Sequence, residues 1–168
     1  MFSSRFITVL MLLGVFALAF ASVANPAYKI IYNASASMPR GWYVTCPARA
    51  LTIGSLAYMH LPTVARDLAS TRHYLPATVP ALKRVVAGSG DRVCERAGVV
   101  TINEIAVARA LSSDGVGRPL TPWAGCRILV AGQFFVLNTG SAVSFDSRYF
   151  GPVERGNVIA VAFPLWTR

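Results

Sequence analysis

Serine and lysine are the residue types of this sequence best suited to nucleophilic chemistry. Ser35 and Ser37 lie close together in the stretch NASASMPRGWY, which follows a long apolar run. A serine hydroxyl attacks a carbonyl when a neighbouring base removes its proton, and a lysine amine can be that base when desolvation lowers its pKa. The stretch is therefore either the site of a nucleophile or an ordinary loop that leaves the apolar run.

Lys83 has the surroundings that such a base requires. In the strand-like run PALKRVVAG, the alternation of side chains places it on one face with Ala81, Val85 and Ala87. An amine among small apolar groups loses hydration, which disfavours its charged form and lowers its pKa toward the working range of a general base. The other lysine, Lys29, emerges at the end of the apolar run and can be solvated there. The alternative is that Lys83 is a structural strand residue whose amine reaches water.

A third stretch with polar chemistry is SFDSRYFG, which begins at Ser144. In an extended conformation, the side chains of Ser144, Asp146 and Arg148 would project to one side of the chain. This would place a hydroxyl beside an Asp–Arg ion pair. An ordinary ion pair in a loop is the alternative.

Other catalytic chemistries find little support in the sequence. The two histidines, His60 and His73, have no partner at the spacing of metal ligands or of a histidine base, so we expect neither to be catalytic. Cys46 has no activating partner nearby and is interpreted as structural. The sequence contains no glycine-rich phosphate-binding segment, and we predict no metal and no cofactor.

Residues 1–28 are predicted to form a membrane anchor. Residues 6–28 carry no charge and are rich in Leu, Val, Phe and Ala, enough for a helix to cross roughly 30 Å of hydrocarbon. A cleavable signal peptide is the alternative, since Arg5 gives a basic start and AFASVAN offers small residues for cleavage. By the positive-inside rule, Arg5 places the N-terminus in the cytoplasm. Residues 29–168 would then form a single domain on the periplasmic side of the inner membrane.

The formal net charge of +9 comes from 16 Lys and Arg against 7 Asp and Glu. The arginines are scattered singly along the chain and form no basic stripe interleaved with aromatic residues, so we predict no nucleic-acid binding. A scattered positive charge is better explained by proximity to anionic lipid headgroups.

Beyond the anchor, the sequence predicts a mostly β domain. Short runs rich in β-branched or aromatic residues are punctuated by Gly and Pro. One short helix is expected within residues 62–75, a hairpin turn at Asn103 and Glu104, and a loop over residues 111–122. The predicted strands are GWYVTC, IGSLAYMHL, LKRVVAG, VVTI, IAVARA, QFFVLN and NVIAVAFPL.

Cys94 and Cys126 are the cysteines predicted to pair in an oxidising compartment, because each adjoins a strand-like run. This pairing leaves Cys46 as a free thiol. The alternative is three unpaired thiols that pack as small hydrophobic side chains.

An ordered set of segments resembles the bacterial type I signal peptidase family, the membrane-anchored serine–lysine proteases. The set comprises the anchor, SASMP, LKRVVAGSGDRV, and SFDSRYFG followed by NVIAVAF, and it covers most of the chain from Asn33 onward. The resemblance implies a serine-type peptidase with coiled antiparallel β-sheets and an active site near the membrane surface.

The resemblance also implies roles for individual residues. Ser37 matches the nucleophile and Lys83 the general base. Ser35 matches the position whose hydroxyl, with the backbone N–H of Ser37, donates to the oxyanion. Ser144 matches the position that hydrogen-bonds and orients the lysine amine. A buried charge cluster behind the site is implied for Asp146, Arg148 and Arg84, and Asp146 is included in the predicted catalytic set.

Two departures from the housekeeping signal peptidases point to one branch of the family. LNTGSAV stands where those enzymes have a Gly-Asp-Asn run, and Met-Pro-Arg-Gly stands where they tend to have Met-x-Pro-Thr. With the single anchor and the short chain, these differences resemble the conjugative-transfer branch, the TraF-type peptidases. Members of that branch mature the pilin subunit of a conjugative transfer (type IV secretion) system, and some join the ends of the trimmed pilin into a circle.

The implied partners are a pilin precursor or another signal-peptide-bearing protein, membrane lipid and other conjugation machinery. Two alternatives stay open at this point. One is a general signal peptidase I that removes signal peptides from exported proteins, and the other is a non-catalytic pilus-assembly scaffold. The residues do not decide between cleavage alone and cleavage followed by cyclisation.

Overall fold

The computed structural model describes residues 4–23, 29–35 and 37–168. Its α-helices are α1 (Ser4–Val23), α2 (Thr63–Thr71) and α3 (Ser147–Phe150), with 3₁₀ turns at Ala48–Ala50 and Arg155–Asn157. Its strands are β1 (Lys29–Asn33), β2 (Gly41–Pro47), β3 (Leu56–Met59), β4 (Ala81–Ala87), β5 (Arg92–Arg96), β6 (Val99–Ile102), β7 (Ile105–Arg109), β8 (Gly125–Ile128), β9 (Gln133–Leu137), β10 (Val153–Glu154) and β11 (Val158–Thr167).

The described strands form two antiparallel sheets, which confirms the predicted mostly β class. The larger sheet has seven strands in the order β1-β2-β11-β3-β4-β9-β10, and the smaller has four in the order β7-β6-β5-β8. The predicted hairpin turn joins β6 and β7, where Asn103 and Glu104 both have positive φ, at 48° and 72°. Two successive residues of this kind match the twist of a tight hairpin.

Strand β9 connects the two hydrophobic cores. Val136 packs with Val85 of β4 inside the large sheet, whereas Phe135 and Leu137 pack with Val93 and other residues of the small sheet. All three β9 residues are fully buried, and each contributes about 2 kcal/mol of hydrophobic stabilisation. Because β4 pairs directly with β9, this double core fixes the position of β4.

The predicted disulfide is confirmed. Cys94 on β5 and Cys126 on β8 lie opposite each other, with their Cα atoms 4.0 Å apart, and are joined by a disulfide. Cys46 is a free, half-buried thiol that packs against the core of the large sheet.

Helix α1 exposes most of its apolar side chains, including Leu10, Met11, Leu12 and Phe16. Within the described part of the chain, no helix reaches the length and apolarity needed to cross a bilayer. Residues 24–28, the last part of the predicted anchor, lie outside the described residues, and the division of the chain at residue 28 stays a prediction.

Candidate active site

Lys83 occupies the middle of β4, where it pairs with Ala57 of β3. Its side chain is among the most buried polar groups of the protein, with a relative exposure of 3%. The face predicted to surround it is buried as expected, since Ala81, Val85 and Ala87 are all buried. The alternative of an amine that reaches water is therefore wrong.

The amine of Lys83 donates a hydrogen bond to Oγ of Ser144, with Nζ and Oγ 2.9 Å apart. Burial lowers the pKa of Lys83 to about 8; the charge of Asp146 opposes this shift and that of Arg148 adds to it. A lysine with such a pKa is partly neutral near neutral pH and can accept a proton, as a general base must.

The rate of any reaction that uses Lys83 as its base is expected to rise with pH. The neutral amine is the active form, so kcat/KM should fall about tenfold per pH unit below the pKa and level off above about pH 8. The measurement is a pH profile of kcat/KM with a peptide that has no titrating group in this range. A flat profile between pH 6 and 9 would exclude Lys83 as the base.

The two serines lie in a tight turn between β1 and β2 that is organised by Asn33. The Asn33 side-chain oxygen accepts hydrogen bonds from the backbone N–H and from Oγ of Ser35, at 3.2 and 2.8 Å. Its amide group donates to the carbonyls of Met38 and Pro39, each at 3.0 Å. The Asn33 side chain thus bonds to residues before and after Ser37 and stabilises the turn. Within this turn, Oγ of Ser35 lies 3.0 Å from Oγ of Ser37.

Asn33 was not among the residues predicted from the sequence. The available signal was an asparagine followed two residues later by serine, which is typical of an Asx turn. Pro39 is held further by the hydroxyl of Tyr43, which donates to its carbonyl at 2.7 Å, and Met38 is buried in the adjoining core. The serine turn is therefore anchored on both its polar and its apolar side.

One cleft of about 830 Å³ brings the predicted residues together. Ser35, Ser37, Lys83 and Ser144 all line it. Across the described residues, no hydrogen bond joins Oγ of Ser37 to Nζ of Lys83, and the hydroxyl of Ser37 instead faces that of Ser35. Catalytic hydrogen bonds are often long or misaligned until substrate is bound, so this arrangement is compatible with a serine–lysine pair.

Asp146 and Arg148 form a buried ion pair, with Arg148 Nη2 and Asp146 Oδ2 2.8 Å apart. The Asp–Arg pair that an extended segment would allow is thus present, but the segment turns into α3, and Asp146 caps this helix by accepting a hydrogen bond from the backbone N–H of Arg148. Arg148 also donates to the carbonyls of Ser141 and Ala142, at 2.8 and 3.0 Å. The pair thus holds the loop that carries Ser144.

Asp146 has no hydrogen bond to Lys83, Ser37 or Ser144 in the part of the chain that the structure describes. Its carboxylate accepts from the Arg148 guanidinium and from the backbone N–H groups of Asn138 and Arg148. Its influence on Lys83 is electrostatic, since its negative charge raises the pKa of the lysine. These contacts describe a positioning residue rather than one that touches a reacting atom.

Arg84 does not belong to the buried cluster, and that prediction is wrong. The residue after Lys83 on a strand points to the opposite face, and the Arg84 side chain is exposed and donates to the carbonyl of Gly54 at 2.8 Å. The resemblance placed it in the cluster, although the strand alternation alone separates it from Lys83.

Asp146→Asn is expected to destabilise the fold by about 3 kcal/mol, because it leaves the buried guanidinium of Arg148 without its counter-charge. The measurement is chemical unfolding at pH 7 beside Asp67→Asn. Asp67 is exposed on α2, and its substitution should change the free energy of unfolding by less than about 0.5 kcal/mol. Equal stability of the two variants would contradict the role assigned to the pair.

The fold and the site together define a mostly β protein in which two serines and a buried lysine with a lowered pKa meet at one cleft. The family description "Signal peptidase, peptidase S26" matches residues 3–166. The chain belongs to this peptidase family.

Relatives with similar sequences include proteins of plasmid transfer. A probable conjugal transfer protein TraF of Sinorhizobium fredii is 30% identical over 167 residues, covering 90% of this chain and 87% of the relative. A conjugal transfer protein TraF of Agrobacterium fabrum is 32% identical, with coverages of 80% and 81%. A signal peptidase I structure from Enterococcus faecalis aligns with a TM-score of 0.38 at 20% identity, covering 66% of this chain and 95% of that one. The family assignment depends on the sequence matches.

Proposed function

We propose that this chain is a serine endopeptidase in which Ser37 is the nucleophile and Lys83 the general base. The observation that carries the proposal is the buried amine of Lys83, which is hydrogen-bonded to Ser144 in the wall of the cleft that Ser37 also lines. Burying an amine lowers the stability of the fold. A catalytic requirement for a neutral lysine would explain why the protein buries this one.

The proposed mechanism begins when a peptide enters the cleft and the hydroxyl of Ser37 turns from Ser35 toward Lys83. Neutral Lys83 accepts the proton as Ser37 attacks the carbonyl. The hydroxyl of Ser35 and the backbone N–H of Ser37 donate to the oxyanion, and each donor of this kind contributes roughly 3 kcal/mol to transition-state stabilisation. The protonated lysine then returns the proton to the leaving amine, which leaves an acyl-enzyme on Ser37.

The acyl-enzyme can be resolved in two ways. Attack by water releases a trimmed chain, whereas attack by the substrate's own N-terminal amine releases a cyclic chain and no water is consumed. Both routes use the same residues, because Lys83 can deprotonate either nucleophile.

The proposed substrate is the pilin precursor of a conjugative transfer (type IV secretion) system. Its support is the similarity to conjugal transfer proteins TraF over most of the chain. A general signal peptidase is the second candidate. A non-catalytic scaffold is disfavoured, because such a protein would have no use for a desolvated lysine beside a serine pair.

We further propose that the protein is anchored in the inner membrane by residues 1–28, with residues 29–168 in the periplasm. The disulfide between Cys94 and Cys126 is consistent with an oxidising compartment. Contact with lipid is supported by exposed apolar side chains on neighbouring strands of one sheet edge, which are Ile30, Tyr32, Trp42, Phe163 and Trp166. Tryptophan and tyrosine are enriched where a protein surface contacts lipid headgroups.

The experiment that tests the substrate is the intact mass of the pilin precursor encoded alongside this protein. The precursor is co-expressed with the wild type, with Ser37→Ala and with Lys83→Ala. Trimming by the wild type alone supports the proposal, and a product lighter by one water than the linear trimmed chain shows ring closure. Unchanged pilin in all three, with cleavage of generic signal sequences by the wild type, would favour the general signal peptidase.

A further inference from the structure

The wall of the active-site cleft contains charged residues that the proposed mechanism does not use. Arg72 follows the C-terminal end of α2, and Tyr74 lies two residues further on. Asp114 and Arg118 come from the loop over residues 111–122, which folds against them. These four residues, here named the arginine cluster, line the same cleft as the catalytic serines and lysine.

Asp114 is the fixed centre of the arginine cluster. Its side chain is 5% exposed, and its oxygens accept hydrogen bonds from the Tyr74 hydroxyl, from Nε of Arg118 at 2.7 Å and from the backbone N–H groups of Val116 and Arg118. Burial raises its pKa, but the hydrogen bonds from Tyr74 and Arg118 outweigh this effect and leave the pKa well below its ordinary value. Asp114 is thus ionised and fully engaged with the protein, so it holds the cluster together.

The two arginines keep donors available for a ligand. Arg118 uses Nε for Asp114 and Nη2 for the carbonyl of Arg72, and its guanidinium also interacts with Tyr74. Arg72 uses only Nη1, which lies 3.4 Å from the Tyr74 hydroxyl and 3.6 Å from Asp114. The arginine side chains are 40% and 21% exposed, and their two positive charges exceed the one negative charge of Asp114. A fixed guanidinium with free N–H groups is suited to bind a carboxylate.

Aromatic packing places the arginine cluster near the reacting groups. The guanidinium carbon of Arg118 lies 5.4 Å from the ring centroid of Tyr74, and that ring lies 5.4 Å from the ring of Phe145. Phe145 follows Ser144, the partner of Lys83. The arginine cluster and the reacting groups thus line one cleft, so an extended substrate bound along this cleft could contact both.

We propose that Arg72 and Arg118 form a subsite that binds a substrate carboxylate away from the scissile bond, in the same cleft. An Asp or Glu side chain and the C-terminal carboxylate of a short peptide present the same group to these arginines. The location relative to the scissile bond rests on the proposed function, whereas the binding of a carboxylate in the cleft does not require catalysis.

The test measures binding to the full-length Ser37→Ala chain, which cannot turn over substrate by the proposed route. The probes are fluorescent octapeptides of Ala and Ser that carry one Glu at successive positions, with matched Gln peptides and with free or amidated C-termini. The best carboxylate-bearing peptide is expected to bind about tenfold more tightly than its neutral match. Glu–Gln pairs report a side-chain carboxylate, and acid–amide pairs report a terminal one.

The variants that decide the outcome are Arg118→Gln and Arg72→Gln, each in the Ser37→Ala chain. Either should reduce the carboxylate preference to below about threefold, with neutral peptides bound as before. Arg118→Lys should retain part of the preference, since it keeps the charge but loses the planar fork. Arg127→Gln is the matched control, because Arg127 is exposed on β8 and should leave the preference intact.

Equal binding of acidic and neutral peptides, or no binding of either, would overturn the subsite. So would a loss in Arg118→Gln that affects all peptides equally, since this would mean that the arginine only supports the loop. Cleavage of the same peptides by the wild-type chain is measured in parallel. Cleavage of acidic and neutral peptides alike would contradict the carboxylate subsite but support the peptidase activity. Preferential binding of acidic peptides with no cleavage would support the subsite but contradict the peptidase activity.

Discussion

Replacing Lys83 with methionine is expected to abolish peptide cleavage and to make the folded chain more stable at neutral pH. Methionine has nearly the length of lysine and suits the apolar face of β4, but it has no basic nitrogen. When residues act as one catalytic unit, removing any one of them removes most of the rate enhancement of the whole unit. We therefore expect kcat to fall by about 10⁴-fold. The measurement is the rate of peptide cleavage at pH 8.5, where most Lys83 in the wild type is neutral.

The gain in stability follows from the lowered pKa of Lys83. The folded chain binds this proton with a pKa of about 8, while the unfolded chain binds it near 10.5. The unfolded state therefore holds more protons between these values, and wild-type stability rises with pH across this window. Below pH 8 the full cost is present, about 3 kcal/mol. Lys83→Met removes this cost and leaves the hydroxyl of Ser144 without its partner, so a net gain of about 2 kcal/mol is expected at pH 6.

Lys29→Met is the matched control, because Lys29 and Lys83 are the two lysines of the chain. Lys29 is exposed at the start of β1, and its substitution should change neither activity nor the pH dependence of stability. Two results would contradict the role of Lys83. One is retained activity in Lys83→Met, and the other is a stability difference from the wild type that does not shrink between pH 6 and pH 11.

Ser37→Ala is expected to lower kcat by about 10⁴-fold or more, since the proposed acyl-enzyme cannot form without the Ser37 hydroxyl. The fold should be unaffected, because the Ser37 side chain has a single hydrogen-bond partner among the described residues, the hydroxyl of Ser35. The measurement is single-turnover cleavage with unfolding followed in parallel. Ser89→Ala, on an exposed turn, is the control and should be as active as the wild type.

The activities of the Ser35→Ala and Ser37→Ala variants together show which serine is the nucleophile. If Ser35→Ala lost as much activity as is expected here for Ser37→Ala while Ser37→Ala stayed active, the nucleophile would be Ser35. The two hydroxyls are only 3.0 Å apart, so this pair of variants is the sharpest way to separate their roles.

Much of the fold was predictable from the sequence, because strand alternation and turn chemistry act locally. The run VVTI coincides with β6, and the alternation in β4 identified the buried face of Lys83. Strands β1, β5, β8 and the two-residue β10 were missed. β5 carries Arg92, Glu95 and Arg96, and β8 is a short exposed strand, so neither has the hydrophobic signal of a strand. Their pairing is determined by neighbours in space.

The site was predictable where the sequence carries a compact motif and not where long-range contacts build it. The contact between Lys83 and Ser144 joins residues 61 positions apart and came from the family resemblance. The hydrogen bonds from Arg148 to the carbonyls of Ser141 and Ala142 have no sequence motif, because every residue type carries a backbone carbonyl. The loop with Asp114 was recognised as a loop, but its position in the cleft depends on tertiary packing.

The most direct test of the central claim is the mass of a trapped acyl-enzyme. The chain is mixed at pH 8.5 with the p-nitrophenyl ester of an N-acetylated alanine peptide, quenched in acid and digested with trypsin. The predicted result is one acyl group on the fragment of residues 30–40, assigned to Ser37 by fragmentation and formed far more slowly in Lys83→Met. Acylation of Cys46 or Ser35 instead, or equal acylation of Ser37 with and without Lys83, would contradict the serine–lysine mechanism.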